Sequence, residues 1–472
     1  MTTSTTSRPA VDLHNAAHRV FLHLLVNVLL VSVINFTVWF AITFWVYLET
    51  RSVLATGMVA GIFLVATALS GIWFGSLVDH NRKKSVMQVS TLVSLALYVG
   101  AFVLYQATPK VVFTDPASIR LWIFIVISMV GVIVGNIRSI ALMTMVTVLF
   151  EPDRRDRANG LVGTASGVSF LVTSVISGLL VAAGDMFYVL LLAMAVMATA
   201  AVHLALVKVD ERRRVDGEVV EPAPVSEPDT GKVDLRGTLR LVRGVPGLLA
   251  LILFSCFNNF LGGAFMALMD AYGLSLMSVS AWGLLWGALS AGFILGGLAV
   301  ARTGLGSNPL RLLLLVNVVL WSVTILFPLR SSIVFLAIGM AVYMLLIPYA
   351  EASEQTILQR VVPYERQGRV FGFAQSVEQA ASPLTAFLIG PITQLAFIPF
   401  MTDGAGADAI GGWFGTGPDR GMALVFVLTG VIGLVVTVVA LNSRFYRQLS
   451  ARYAEAPEPA EPETAAEAPA TA

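Results

Sequence analysis

Long uncharged runs alternate with short polar interruptions along the whole chain. A bilayer core about 30 Å thick needs about 20 apolar helical residues. Runs near or beyond that length lie between Arg19 and Glu49, Arg51 and Asp79, Lys84 and Lys110, Arg157 and Asp185, and Asp185 and Lys208. They recur between Arg243 and Asp270, Asp270 and Arg302, Arg311 and Arg330, Arg330 and Glu351, and Arg420 and Arg444. Two more, 121–150 and 370–402, each carry one charge inside, Arg138 and Glu378. The pattern predicts an all-α membrane protein of twelve transmembrane helices. The first run is far longer than a signal-peptide core and no small-residue cleavage site follows it, so it reads as a retained span.

The longest polar segment, 208–244, falls between spans six and seven. It holds Arg212, Arg213, Arg214 and the proline–acid stretch Glu221 to Pro228. The expected division is a cytoplasmic segment 1–19, a six-helix bundle 20–209, a linker 210–245, a second six-helix bundle 246–443 and a disordered cytoplasmic tail 444–472. From Ala454 that tail contains only Ala, Pro, Glu and Thr, too little apolar surface to order itself. The halves repeat each other. Gly71, Gly75 and Leu77 end span two, and Gly292, Gly296 and Leu298 end span eight at the same spacing. Pro152, Arg155, Arg157 and Gly160 lead into span five as Pro363, Arg366, Arg369 and Gly372 lead into span eleven. Two pseudo-symmetric bundles of this kind bind substrate at their interface in transporters.

Charge placement orients the bundle. With the N-terminus in the cytoplasm, outer segments hold only Arg51, Lys110, Arg120, Arg330 and Arg420 of thirty Lys and Arg residues. The positive-inside rule then puts both termini in the cytoplasm, in an inner or plasma membrane. At 57% hydrophobic and 12% charged, the chain has about half the charge of a soluble protein. A net charge of +1 gives no basic field for nucleic acid. The single Cys256 excludes an intrachain disulfide, and the five histidines (14, 18, 23, 80, 203) lack the spacing of a zinc helix. No Gly-x-x-x-x-Gly-Lys loop is present, so there is no self-contained ATPase. A carrier is expected rather than an enzyme, with no cofactor and no metal.

The loop after span two reads Gly75, Ser76, Leu77, Val78, Asp79, then His80, Asn81, Arg82, Lys83 and Lys84. It resembles the signature loop of the major facilitator superfamily, glycine-x-leucine-x-aspartate before a basic cluster. His80 and Arg82 stand where the family has arginine and glycine. The resemblance covers roughly 20–444. Glu151 to Gly160 and Gln359 to Arg369 resemble the macrolide- and enterobactin-exporter branch of drug:proton antiporters, although span five lacks that branch's glycine–proline pair. The resemblance implies a monomeric, proton-coupled exporter of small amphipathic molecules or drugs, working by alternating access. The alternatives are a carrier of one specific metabolite, or a sensor or scaffold that kept the fold without transport. Expected partners are a small-molecule substrate, the proton and the lipid bilayer.

Several residues are candidates for the chemistry. Asp79, with Gly75, Arg82, Lys83 and Lys84, is a candidate latch: a carboxylate at one helix end can bond neighbouring helix ends in one state and lose them in another. Arg138 lies about 18 Å from the cytoplasmic end of its span at 1.5 Å per residue. It needs a partner or water there, either as a substrate group or as a bridge between helices. Glu378 lies about 12 Å inside, on a polar stripe with Gln375, Gln379 and Ser382. A carboxyl in low dielectric can exchange a proton near neutral pH, so Glu378 is the leading coupling candidate. Asp270, Glu351 and Glu354 are further ones, although their plainer reading is boundary residues or gate partners. In the superfamily, spans one, four, seven and ten surround the cavity. That implies Asn35, Trp39, Arg138, Asn258 and Tyr343 as lining, with Gln375 and Gln379.

Overall fold

The computed structural model describes residues 11–50, 53–209, 211, 214–215, 218–219 and 234–455. Within lipid every backbone N–H and C=O must be satisfied internally, which leaves these uncharged runs no option but helix. Each of the twelve predicted spans falls on one. They are α1 (Ala16–Thr50), α2 (Val53–His80), α3 (Lys83–Ala107), α4 (Ile119–Leu149), α5 and α6 within Arg155–Leu206, α7 (Leu248–Leu276), α8 (Val279–Thr303), α9 (Pro309–Leu326), α10 (Ile333–Val361), α11 (Gln367–Ile392) and α12 (Pro418–Asn442). Among the described residues, ten helices are long and apolar enough to cross a membrane.

Two spans are broken where a straight helix would not serve. Arg155–Leu206 runs 52 residues, about 78 Å at 1.5 Å per residue, far more than one crossing. Asp185 breaks it with φ 55°, giving α5 (155–184) and α6 (Asp185–Leu206). Lys110 Nζ sits 2.8 Å from the Asp185 carboxylate, and that bond raises the exposed Lys110 ammonium's pKa. α4 tightens at Asn136, whose N–H bonds back to Ile133 O, where the Asn35 amide presses against Gly135.

The two halves meet mainly along α2 with α11 and α5 with α8. Small residues bring the backbones together. Gly71 and Gly75 face Gly372 and Gly368, and Gly160 faces Gly297 and Ala301. This corrects the expected register of the repeat. Gly292 and Gly296 pack on Met344 and Leu345 of α10 instead, and Gly297 and Ala301 occupy the places that correspond to Gly71 and Gly75. Each half also has an aromatic cluster at the end away from the linker: Trp45 with Tyr105, Phe113 and Phe124, and Tyr272 with Phe327 and Phe426.

Three peripheral features depart from expectation. Arg444–Glu455 lies inside the predicted disordered tail but forms a helix. Its Leu449 is buried, its Ser450 Oγ accepts from Asn308 Nδ2 at 3.0 Å, and the Arg360 guanidinium lies over its Tyr453 ring. Arg420, expected on an outer flank, is buried: it donates to Ser331 Oγ at 2.8 Å and Pro328 O at 2.5 Å and covers the Phe414 ring. The connection between α11 and α12 itself folds, through a π-helical turn Thr393–Phe397 and helices Ile398–Thr402 and Ala405–Phe414. In the linker, Asp234 caps a helix Leu235–Gly244, and Arg214 pairs with Val219 in a two-residue antiparallel ladder. Residues 1–10, Arg51, the Glu221–Pro228 stretch and 456–472 lie outside the described residues.

Candidate functional site

The end of the bundle that carries the linker is closed by bonds between the halves. Asp79 Oδ1 accepts from Gly368 N at 2.7 Å and Oδ2 from Arg369 N at 2.8 Å. The first N–H groups of a helix have no intrahelical acceptor and carry partial positive charge, so the start of α11 is a natural seat for a carboxylate. Arg369 Nε lies 3.5 Å from Asp79 Oδ2. A Cβ on Gly75 would strike the Gly368 carbonyl, so glycine is what lets Asp79 come this close. The other crossing has a matching joint: Asp156 Oδ2, at the start of α5, accepts from Leu305 N at 2.8 Å, just past α8. In one joint the carboxylate ends a helix and the amides begin one; in the other the roles are exchanged.

Between the joints lies an amide layer that the sequence reading did not single out. Asn159 Nδ2 donates to Thr356 Oγ1 and Gln359 Oε1, both at 2.9 Å. Gln359 Nε2 donates to Met143 O at 3.0 Å, and Arg155 Nη1 to Gln359 O at 3.3 Å. The only signal available was the repeat of the Pro152–Gly160 and Pro363–Gly372 loops, which marks these segments as paired but names no partner. The basic cluster divides. Lys83 lies over the Tyr364 ring of the other half at 5.1 Å. The Lys83 and Lys84 amides donate to Glu211 at the start of the linker, at 2.8 Å each. Arg82 is exposed.

Just inside this closed end, three carboxyl groups converge from two helices. Glu354 on α10 and Glu378 on α11 face each other, with Ser255 of α7 beside Glu354, and each carboxyl has a buried oxygen, Oε1, without a hydrogen-bond partner among the described residues. Glu351 stands nearly one turn earlier on α10. Glu351 and Glu354 lie ten and seven residues before the helix ends at Val361, about 15 and 10 Å inside, so they are not boundary residues. Asp270 stays apart from the cluster, accepting from Trp282 Nε1 at 2.9 Å. On α11, Gln375 is half-buried and Gln379 exposed.

Further from the linker, α7, α8, α9 and α10 enclose a cavity of about 230 Å³. Its walls are apolar, rich in methionine (Met266, Met269, Met340) and aromatic rings, with Asp270 as its one charged side chain. Tyr343 lines it, stacked with Phe265 at 6.4 Å, eight residues before Glu351 on the same helix. Trp286 on its wall faces Phe170 of the other half.

Of the residues expected to line a central cavity between the halves, Tyr343 lines this one, which is enclosed by helices of the second half. Asn35, Arg138 and Asn258 are turned into their own bundles. Asn35 Oδ1 accepts from Tyr98 Oη at 2.7 Å. Asn258 Oδ1 accepts from Trp321 Nε1 at 2.9 Å. Arg138 is 1% exposed, donating to Met87 O at 2.7 Å and to Thr91 Oγ1 and Asn27 Oδ1. Trp39 packs on Phe40 and Phe63. The spacing of polar residues on a helix identifies a face but not which neighbour that face meets.

A sequence model described as Major Facilitator Superfamily matches residues 24–386. No curated protein matches the chain. Solved structures share its fold at low identity. A bacterial homologue of the iron transporter ferroportin, in an outward-facing state, has a TM-score of 0.64 at 13% identity, covering 90% of this chain and 100% of that one. The human organic anion transporter MFSD10 (TETRAN) has a TM-score of 0.63 at 12% identity, covering 88% and 99%. The proton:xylose symporter XylE bound to 6-bromo-6-deoxy-D-glucose has a TM-score of 0.60 at 13% identity, covering 90% and 96%.

Proposed function

The chain belongs to the Major Facilitator Superfamily, and from that premise we propose that it is a proton-coupled exporter of small amphipathic molecules working by alternating access. The linker end faces the cytoplasm by the distribution of lysine and arginine. The bonds of Asp79 and Asp156 make this the state closed to the cytoplasm, and breaking them opens it.

The observation that carries the coupling is the Glu354–Glu378 pair. Two carboxyl groups in contact cannot both hold a negative charge at low cost, so they share a proton. The pair bridges α10 and α11, which belong to the half that must move against α2 and α5. Proton gain or loss there changes the attraction between two helices next to the gate, so proton occupancy and gate position are linked. The methionine- and aromatic-lined cavity, with a single carboxylate, supports an amphipathic substrate over a sugar-like one, which would need several hydrogen-bonding groups.

The test is uphill transport of an amphipathic dye in proteoliposomes under an imposed proton gradient. The native protein is expected to accumulate the dye against its gradient. Glu378→Gln, fixed in a neutral form, is expected to lose uphill transport while dye binding and downhill exchange persist. Undiminished uphill transport by Glu378→Gln and Glu354→Gln would remove this pair from the coupling mechanism.

A further inference from the structure

The buried guanidinium of Arg138 has hydrogen-bond acceptors but no carboxylate among its bonded partners in the described residues. Its bonds lead outward. Arginine can only donate, so the Asn27 oxygen must face it and the Asn27 Nδ2 must be a donor. Nδ2 donates to Ala200 O at 2.9 Å and lies 3.1 Å from His203 Nδ1. His203 Nδ1 is therefore an acceptor, and the hydrogen of the neutral ring sits on Nε2. That nitrogen lies 3.3 Å from His23 Nδ1, which accepts in turn and leaves His23 Nε2 as a donor. One chain of bonds thus runs from a buried cation to an exposed imidazole.

His23 and His203 line a groove of about 410 Å³ at the linker end, between the start of α1 and the end of α6. Arg19 and Lys208 complete its polar wall, no carboxylate lines it among the described residues, and Val20, Leu206 and Val207 form its apolar side. Leu206 is 77% exposed and Val202, one turn below, 61%, so the groove opens onto the lipid-facing surface of α6.

We propose that this groove binds the phosphate headgroup of an anionic phospholipid, held by Arg19, Lys208 and the His23–His203 pair, with an acyl chain running down past Leu206 and Val202. A phosphate here meets two exposed cations and accepts from the imidazole that ends the chain of hydrogen bonds leading out from the buried Arg138. The apolar strip below favours a membrane lipid over a soluble phosphate. On the orientation proposed above, the groove lies in the cytoplasmic leaflet, where basic pockets between helices collect anionic headgroups. The proposal is independent of the transported substrate, since the groove lies on the outer face of one half.

The experiment uses the purified full chain in detergent, titrated separately with phosphatidylglycerol, phosphatidylcholine and inorganic phosphate. Bound lipid is read by native mass spectrometry and stabilisation by melting temperature. Phosphatidylglycerol is expected to be retained and to raise the melting temperature, and phosphatidylcholine to do neither. Lys208→Ser, at an exposed position, is expected to weaken phosphatidylglycerol binding about fivefold, the worth of one cation near an anionic lipid surface, and His23→Ala, which removes a hydrogen-bond donor, is expected to weaken it as well. Arg330→Ser, at the opposite end, is expected to leave it unchanged. Equal retention of both lipids, or native affinity in both groove variants, overturns the proposal. Protection by inorganic phosphate as strong as by phosphatidylglycerol also overturns the lipid assignment and makes the groove a site for a soluble phosphate.

Discussion

Arg138 shows how far one residue's chemistry can be read in advance. Its depth demands acceptors, and the structure supplies them from α1 and α3 rather than from a cavity. Arg138→Met would leave Asn27 Oδ1 without a donor, although Met87 O keeps those of Ser90 and Thr91, and an unsatisfied buried group costs about 1–3 kcal/mol. The expected outcome is a melting temperature lowered by several degrees with dye affinity unchanged; weakened dye binding in a protein of native stability would return Arg138 to the substrate path. Glu378 was legible because one charge interrupts an otherwise apolar run. Glu354 stood only as a secondary candidate beside a boundary reading, because counting from charge to charge ends span ten at Glu351, whereas the helix continues to Val361. A span that ends on a polar gate rather than in water carries its carboxylates inside, and composition does not distinguish the two.

At the scale of helices, closure rests on two crossings that each combine glycine contact with one carboxylate. A hydrogen bond to a charged group contributes about 1.5–3 kcal/mol, so losing one joint should shift the equilibrium towards the cytoplasm-open state roughly tenfold or more. Spin labels at the exposed positions Arg82 and Arg366 report this as a distance between the halves. Asp79→Asn and Asp156→Asn are each expected to add a longer-distance population, and the double substitution to make it dominant. An unchanged distribution in the double variant would leave the joints as packing without control of the gate. The glycine pattern of the crossings was visible in the sequence, but its register in the second half was not. A pair of glycines four apart suits any close helix contact, and Gly292 and Gly296 spend theirs on α10.

For the molecule as a whole, the twelve apolar runs and the bias of basic residues were enough to lay out every major helix. Reporter fusions at Ala117 and Arg330 are expected to report outside and one at Gly306 inside; a cytoplasmic signal at Arg330 would break the alternation on which the orientation depends. The burial of Arg420, counted among the outer flanking charges, was not legible because it comes from the folded connection between α11 and α12, and short glycine-rich helices there have no strong periodic signal. Arg420→Ala should open a hole between Phe414, Ser331 and Pro328. It is expected to lower the melting temperature without altering the gate distances.

The two joints at the closed end have unequal parentage. On one side of each stands a carboxylate that only aspartate provides at that length; on the other stand backbone amides, which every residue except proline provides. In a library of single substitutions, Asp79 and Asp156 should therefore be intolerant. Arg369 can lose its side-chain contact with Asp79 and keep the amide bond, Leu305 is buried and should accept only apolar replacement, and both should reject proline. Gly368 is the exception among the donors, because a side chain there would press on Asp79 and Gly75. Descendants of this gene can thus drift in side chain on the amide side of the gate while the gate itself is inherited intact.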